Sequence, residues 1–170
     1  MDIRIAGTVN DSIVDGEGFR FTIFTQGCPH HCKGCHNPQT HSFDGGSVVT
    51  DEQLLEKIKA NPLLDGVTFS GGEPFCQAET LAELGKKIHS LGNLDIVTYT
   101  GYTFEELLAG LDENPSWKAL LEETDILIDG RFEESLKSYD VKFRGSKNQR
   151  YLDAKESLRQ KKAIDAPLPE

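Results

Sequence analysis

Four short apolar runs, Phe21 to Phe24, Val67 to Phe69, Ile96 to Tyr99 and Ile126 to Ile128, each give way to a polar, glycine-bearing stretch. Runs of that length bounded by turn residues predict buried strands. Between them the period changes. Thr50 and Gln53 form a capping box ahead of Leu54, Leu55 and Ile58, and Thr103 with Glu106 repeats the signal ahead of Leu107 and Leu108. Thr80 to Leu91 sets Leu81, Leu84, Ile88 and Leu91 on one helical face. Strands alternating with helices of this length predict an α/β fold, a mainly parallel sheet with outer helices, because parallel neighbours need a covering crossover.

In parallel α/β folds chemistry gathers beyond the carboxyl ends of the strands. The residues there read Thr25-Gln26-Gly27-Cys28, Ser70-Gly71-Gly72-Glu73, Thr100-Gly101-Tyr102 and Asp129-Gly130-Arg131, which predicts a single site on one rim. The 170 residues read as a single domain, 1–170. A closed eight-unit barrel, typically ~250 residues, does not fit, so a partial barrel or a curved open sheet is expected. Residues from about 155 to 170 read as a basic C-terminal extension or loose tail, with Ala166-Pro167-Leu168-Pro169-Glu170 its loosest part.

The balance of 37% hydrophobic and 27% charged residues is that of a soluble globular protein. No apolar run approaches the ~20 residues that span a bilayer, and no secretory signal is visible, so the expectation is a cytoplasmic protein with no membrane partner. A formal net charge of -10 argues against a general nucleic-acid binder. Residues 142–162 depart from that balance, with eight basic and two acidic side chains. Such a run is either a solvated face or a surface that guides an acidic partner.

Cys28-Pro29-His30-His31-Cys32-Lys33-Gly34-Cys35 packs three thiols into eight residues, with no room for a regular helix or strand. Disulfides suit such a chain poorly. The spacing leaves an iron–sulfur cluster and a structural zinc with a histidine as fourth ligand both open. Three thiolates on a four-iron cluster would leave one iron free to bind a substrate. Cys76, the fourth cysteine, reads as a packed small side chain. His30, His31 and His41 read as structural or solvent-facing, and Asp129 as either a ligand contact or a loop-orienting carboxylate.

Cys-x-x-x-Cys-x-x-Cys together with Ser70-Gly71-Gly72-Glu73-Pro74 at a strand end resembles the radical S-adenosylmethionine (SAM) superfamily. The resemblance narrows through Asp15-Gly16-Glu17-Gly18-Phe19-Arg20, Cys35-His36-Asn37-Pro38, Tyr99-Thr100-Gly101-Tyr102, Asp129-Gly130-Arg131-Phe132 and the Phe143–Arg150 segment. These are similar to the activating enzymes of anaerobic ribonucleoside-triphosphate reductases. The resemblance implies a partial (β/α) barrel of the radical SAM type and one 4Fe-4S cluster on Cys28, Cys32 and Cys35. It also implies SAM contacts at Gly34, Cys35, His36, Gly71, Gly72 and Glu73, with Glu73 accepting from the methionyl ammonium unless it only caps its loop. Reduced flavodoxin or a similar donor would supply one electron, and SAM would be cleaved to methionine and a 5'-deoxyadenosyl radical. That radical would form a glycyl radical on the large subunit of the reductase. One departure is Gly34, where much of the superfamily has an aromatic residue near the adenine. Other activities remain alternatives: a pyruvate formate-lyase-type activase, a 7-deazaguanine synthase, or a zinc-stabilised binding module without catalysis.

Overall fold

The computed structural model describes residues 1–168, so Pro169 and Glu170 of the expected tail lie outside the described residues. Seven strands form one open sheet, in the order β3-β1-β2-β4-β5-β6-β7. They are β1 (Asp2–Ser12), β2 (Arg20–Thr25), β3 (Ser47–Thr50), β4 (Gly66–Gly71), β5 (Asp95–Tyr99), β6 (Ile126–Asp129) and β7 (Arg150–Asp153). The helices are α1 (Asp51–Lys59), α2 (Ala78–His89), α3 (Phe104–Ala109), α4 (Pro115–Glu123) and α5 (Ala154–Gln160). The expected α/β class is borne out, and the four apolar runs are β2, β4, β5 and β6, paired in parallel. Antiparallel β1 and β3 extend one edge and antiparallel β7 the other.

Alternation along the strands explains the layering. Phe21 and Ile23 of β2, Val67 and Phe69 of β4, Ile96 of β5, Leu127 of β6 and Leu152 of β7 all join the main core. Ile3 and Ile5 of β1 join them, and the helices add Leu54, Leu81, Leu84, Ile88, Leu107, Leu120 and Leu121. The intervening residues, Val97, Ile128 and Tyr151, point to the opposite face, where Tyr99 and Phe143 pack on them. Since successive side chains take opposite faces, helices cover one side and the other is left for a site.

Both predicted capping boxes form, on Thr50 with Gln53 and on Thr103 with Glu106. Helix α2 ends at His89, before the expected Leu91, which is 39% exposed. The segment read as an extension or tail is folded in part. Helix α5 is capped by Asp153, the Asp153 N–H donates to the Ile164 carbonyl, and the Ala166 N–H donates to that of Tyr151. No helix among the described residues is long and apolar enough to cross a membrane.

Asp51, buried at the start of α1, ties this helix to α2 through Lys87 (2.9 Å) and also accepts from the Met1 ammonium (2.9 Å). Burial alone would raise its carboxyl, but the hydrogen bonds from Lys87 and the ammonium hold it well below the usual carboxylate range. A depressed folded pKa adds stability that is present above the unfolded value of 3.8 and lost as pH falls toward the folded one. Asp51→Asn is therefore expected to cost about 1–3 kcal/mol at pH 7, discounted for the solvent-exposed Lys87. Denaturant melts at a series of pH values should show the gap to wild type closing below pH ~4. A gap independent of pH would reject the ionised pair as its source.

Candidate functional site

The cysteine loop leaves β2 through Gly27, whose φ of +106° only glycine adopts readily. Four hydrogen bonds then fold residues 37–42 back under it. The Gly27 N–H donates to the Thr40 carbonyl (2.7 Å), the Cys28 N–H to that of His41 (3.1 Å), and Gln26 Nε2 to the carbonyls of Gln39 and Ser42. Held this way, Cys28, Cys32 and Cys35 line one cavity of about 510 Å3 on the sheet face opposite the helices. Ser70, Gly71, Gly72, Thr100, Gly101 and Gly130 line it too, so the strand ends do meet at one rim.

All four cysteines are free, and Cys28 is buried while Cys32 and Cys35 are partly so. Burial pushes the Cys28 and Cys32 thiols up from their ordinary value, against backbone N–H groups of His30 and His31 at Cys28 and of Phe132 at Cys32 that pull the other way. The Asn37 N–H donates to Cys35 Sγ at 3.4 Å. Thiolates shielded from water and met by backbone donors call for a cationic partner, which an iron–sulfur cluster supplies. His41, also on the cavity wall, keeps a buried Nε2 with no hydrogen-bond partner within the chain. Among the described residues, no group of three His, Cys, Asp or Glu side chains is placed to hold a single metal ion. Three cysteines on one cavity that extends beyond them fit a cluster with ligand room beside it.

The glycines of the Gly-Gly-Glu-Pro turn line the cavity, yet protein contacts are what forbid a side chain there. A Cβ on Gly71, whose φ is +94°, would lie 2.4 Å from the Thr25 nitrogen, and one on Gly72 would lie 2.3 Å from the Gly27 carbonyl oxygen. They fit the turn against the start of the cysteine loop, fixing two walls of the cavity to each other. Gly34 does not line the cavity; it has a φ of +73°, and a Cβ there would meet Glu134 Oε2 at 2.9 Å. A left-handed backbone explains why no aromatic residue occupies this position. His36 lines the cavity and is exposed at its mouth.

Glu73 is fully buried and is absent from the cavity wall. Its Oε1 accepts from His30 Nε2 (2.6 Å), Thr100 Oγ1 (2.9 Å) and the Gly101 N–H (2.8 Å), while Oε2 accepts from the Phe75 N–H (3.1 Å) and Thr100 Oγ1 (2.8 Å). The carboxylate joins the cysteine loop, the β5 end and the turn after β4. Of its two expected roles, this geometry supports loop organisation rather than a direct ligand contact.

Asp129 likewise turns inward. Its Oδ2 accepts from the Phe104 N–H (2.7 Å), and Arg150 Nε donates to Oδ1 (3.0 Å), so it caps α3 and orients β7. Cys76, expected to be packed, is instead exposed, because it sits on the one-turn helix Pro74–Gln77 outside the core. Of the basic tract, Arg150 pairs with Asp129 and Glu105, Lys155 with Asp125, and Arg159 with Glu156. Part of its charge is therefore matched by Asp129, Glu105 and Asp125, acids the local sequence count did not include. The contribution that sequence reasoning left unassigned is the segment 131–149, whose Phe132, Tyr139, Phe143 and Arg144 wall the cavity.

A family model described as "4Fe-4S single cluster domain" matches residues 14–152. An anaerobic ribonucleoside-triphosphate reductase-activating protein of Haemophilus influenzae is 34% identical over 144 residues, covering 81% of this chain and 89% of that protein. A pyruvate formate-lyase-activating enzyme of Clostridium pasteurianum is 38% identical over 117 residues, 64% of this chain but 49% of that enzyme. Among solved structures, QueE from Escherichia coli superposes with a TM-score of 0.50 at 20% identity. That match covers 61% of this chain and 54% of QueE, so the chain spans about half the length of that neighbour and shares its fold.

Proposed function

The chain belongs to the anaerobic ribonucleoside-triphosphate reductase-activating proteins and carries their 4Fe-4S single cluster domain, and on that premise we propose that it generates a glycyl radical on the large subunit of such a reductase. The observation that carries the reading is the meeting of Cys28, Cys32 and Cys35 with the Gly71-Gly72 turn on a single cavity. When bound, the cluster supplies one electron from a flavodoxin-like donor to cleave SAM into methionine and a 5'-deoxyadenosyl radical.

The chain's own residues hold, orient and exclude water. Cys28, Cys32 and Cys35 would ligate three irons and leave the fourth for SAM. Gly71, Gly72, Cys35 and His36 would flank the ligand, with Gly34 setting the turn beside it. His41 Nε2 offers a polar contact not used within the protein. Glu73 would act on the site indirectly, fixing the Thr100-Gly101 edge. Since the cleavage transfers no proton to the protein, His30 and His31 need not serve as bases.

The test is anaerobic reconstitution followed by reduction in the presence of SAM and the purified reductase. The expected products are 5'-deoxyadenosine and a glycyl-radical doublet in the electron paramagnetic resonance spectrum. Intact SAM with a full cluster would reject the reaction. A doublet on a formate-lyase but none on the reductase would reject the partner.

A further inference from the structure

We propose that the ring of Phe132, set between His36 and Gly145, is the wall against which the adenine of SAM stacks. The inference rests on the cavity being the SAM site. The cavity lining has two unlike parts. Ser70–Gly72 and Thr100–Gly101 contribute backbone and small side chains, which suit a charged methionyl group. Residues 132–143 contribute aromatic rings, which suit the flat faces of a purine.

Of those rings, Phe132 is the one set against the cysteine loop. Tyr139 is 87% exposed, and Phe143 leans on Tyr151 at 6.1 Å. The Phe132 ring lies 4.9 Å from that of His36, tilted by 50°, and its backbone N–H faces the Cys32 sulfur. Room for the ring comes from Gly145, where a Cβ would lie 2.9 Å from Phe132 Cδ2 and 3.2 Å from Cε2. Gly145 is not among the left-handed glycines, so it is the ring and not the backbone that calls for glycine. Gln149 locks the arrangement: its Oε1 accepts from the Gly145 and Ser146 N–H groups, and its Nε2 donates to the Gly130 carbonyl (2.9 Å). Asn148 Nδ2 adds a bond to the Arg131 carbonyl (2.8 Å). The Asp129–Phe132 and Phe143–Arg150 motifs thus form one device that aims a ring beside the third cysteine, where Gly34 brings none.

The test is calorimetric titration of cluster-loaded, full-length protein in the oxidised state with SAM and, separately, with methionine. Phe132→Leu is expected to weaken SAM binding by about tenfold with methionine binding unchanged, and Phe132→Tyr to bind like wild type. Gly145→Ala, which displaces the ring from its place on the cavity wall, should weaken SAM in the same selective way. Unchanged SAM affinity in Phe132→Leu, or equal loss for SAM and methionine at unaltered iron content, would overturn the assignment. Failure of wild type to bind SAM at all would instead remove the premise.

Discussion

Cys28→Ala, Cys32→Ala and Cys35→Ala are each expected to yield protein without a 4Fe-4S cluster after anaerobic reconstitution, whereas Cys76→Ala is expected to load fully. The three share one cavity wall, and each sulfur meets at least one backbone N–H, the arrangement that stabilises a ligated thiolate. Removing any one leaves two ligands and a second open iron, which is too few to retain a cubane. Cys76 lies outside that wall. It is exposed on the one-turn helix Pro74–Gln77, away from the cavity that the three thiols line. Iron and inorganic sulfide per chain, with the visible absorption of the cluster, provide the measurement. Full loading of any of the first three variants, or an empty Cys76→Ala, would contradict the ligand assignment.

What the sequence disclosed follows from how local each signal is. Parallel strands β2, β4, β5 and β6 are buried on both faces and read as continuous apolar runs. Capping boxes need only four consecutive positions, and Thr50 and Thr103 were legible for that reason. The antiparallel strands were not. In β1 the stretch Thr8 to Ser12 carries Asn10 and Asp11, and only its pairing with β2 makes it a strand. Strand β7 is likewise defined by its partner β6 and hides inside a basic tract. At the site, the cysteine spacing and the glycine rim were readable because they are contiguous. The true neighbours of those glycines were not, since Thr25 and Gly27 reach Gly71 and Gly72 only after β2 and β4 align. The Phe132–Gly145 contact and the Asp129–Arg150 pair also join residues distant in sequence and were open to no local rule.

Glu73 offers the sharpest division between a ligand contact and a structural hub, and Glu73→Gln should resolve it. Glutamine keeps the shape but turns one acceptor into a donor. Placed toward Gly101 the new NH2 group would confront its N–H, and placed toward Phe75 it would confront that one, so neither rotamer satisfies both. A buried donor left facing a donor costs about 1–3 kcal/mol, and lost bonds to a charged acceptor add a similar amount. We therefore expect Glu73→Gln to lose roughly 2–4 kcal/mol of stability, a fall in Tm of several degrees for a chain of this size. Glu73→Ala should fall further, because it also leaves Thr100 and His30 without their shared acceptor. SAM binding should weaken in parallel, since the Thr100-Gly101 edge of the cavity is no longer fixed. A direct contact to the methionyl ammonium predicts the opposite pattern, with wild-type thermal stability and a loss confined to SAM affinity. Paired thermal melts and SAM titrations on Glu73→Gln distinguish the two, and unaltered stability would reject the hub.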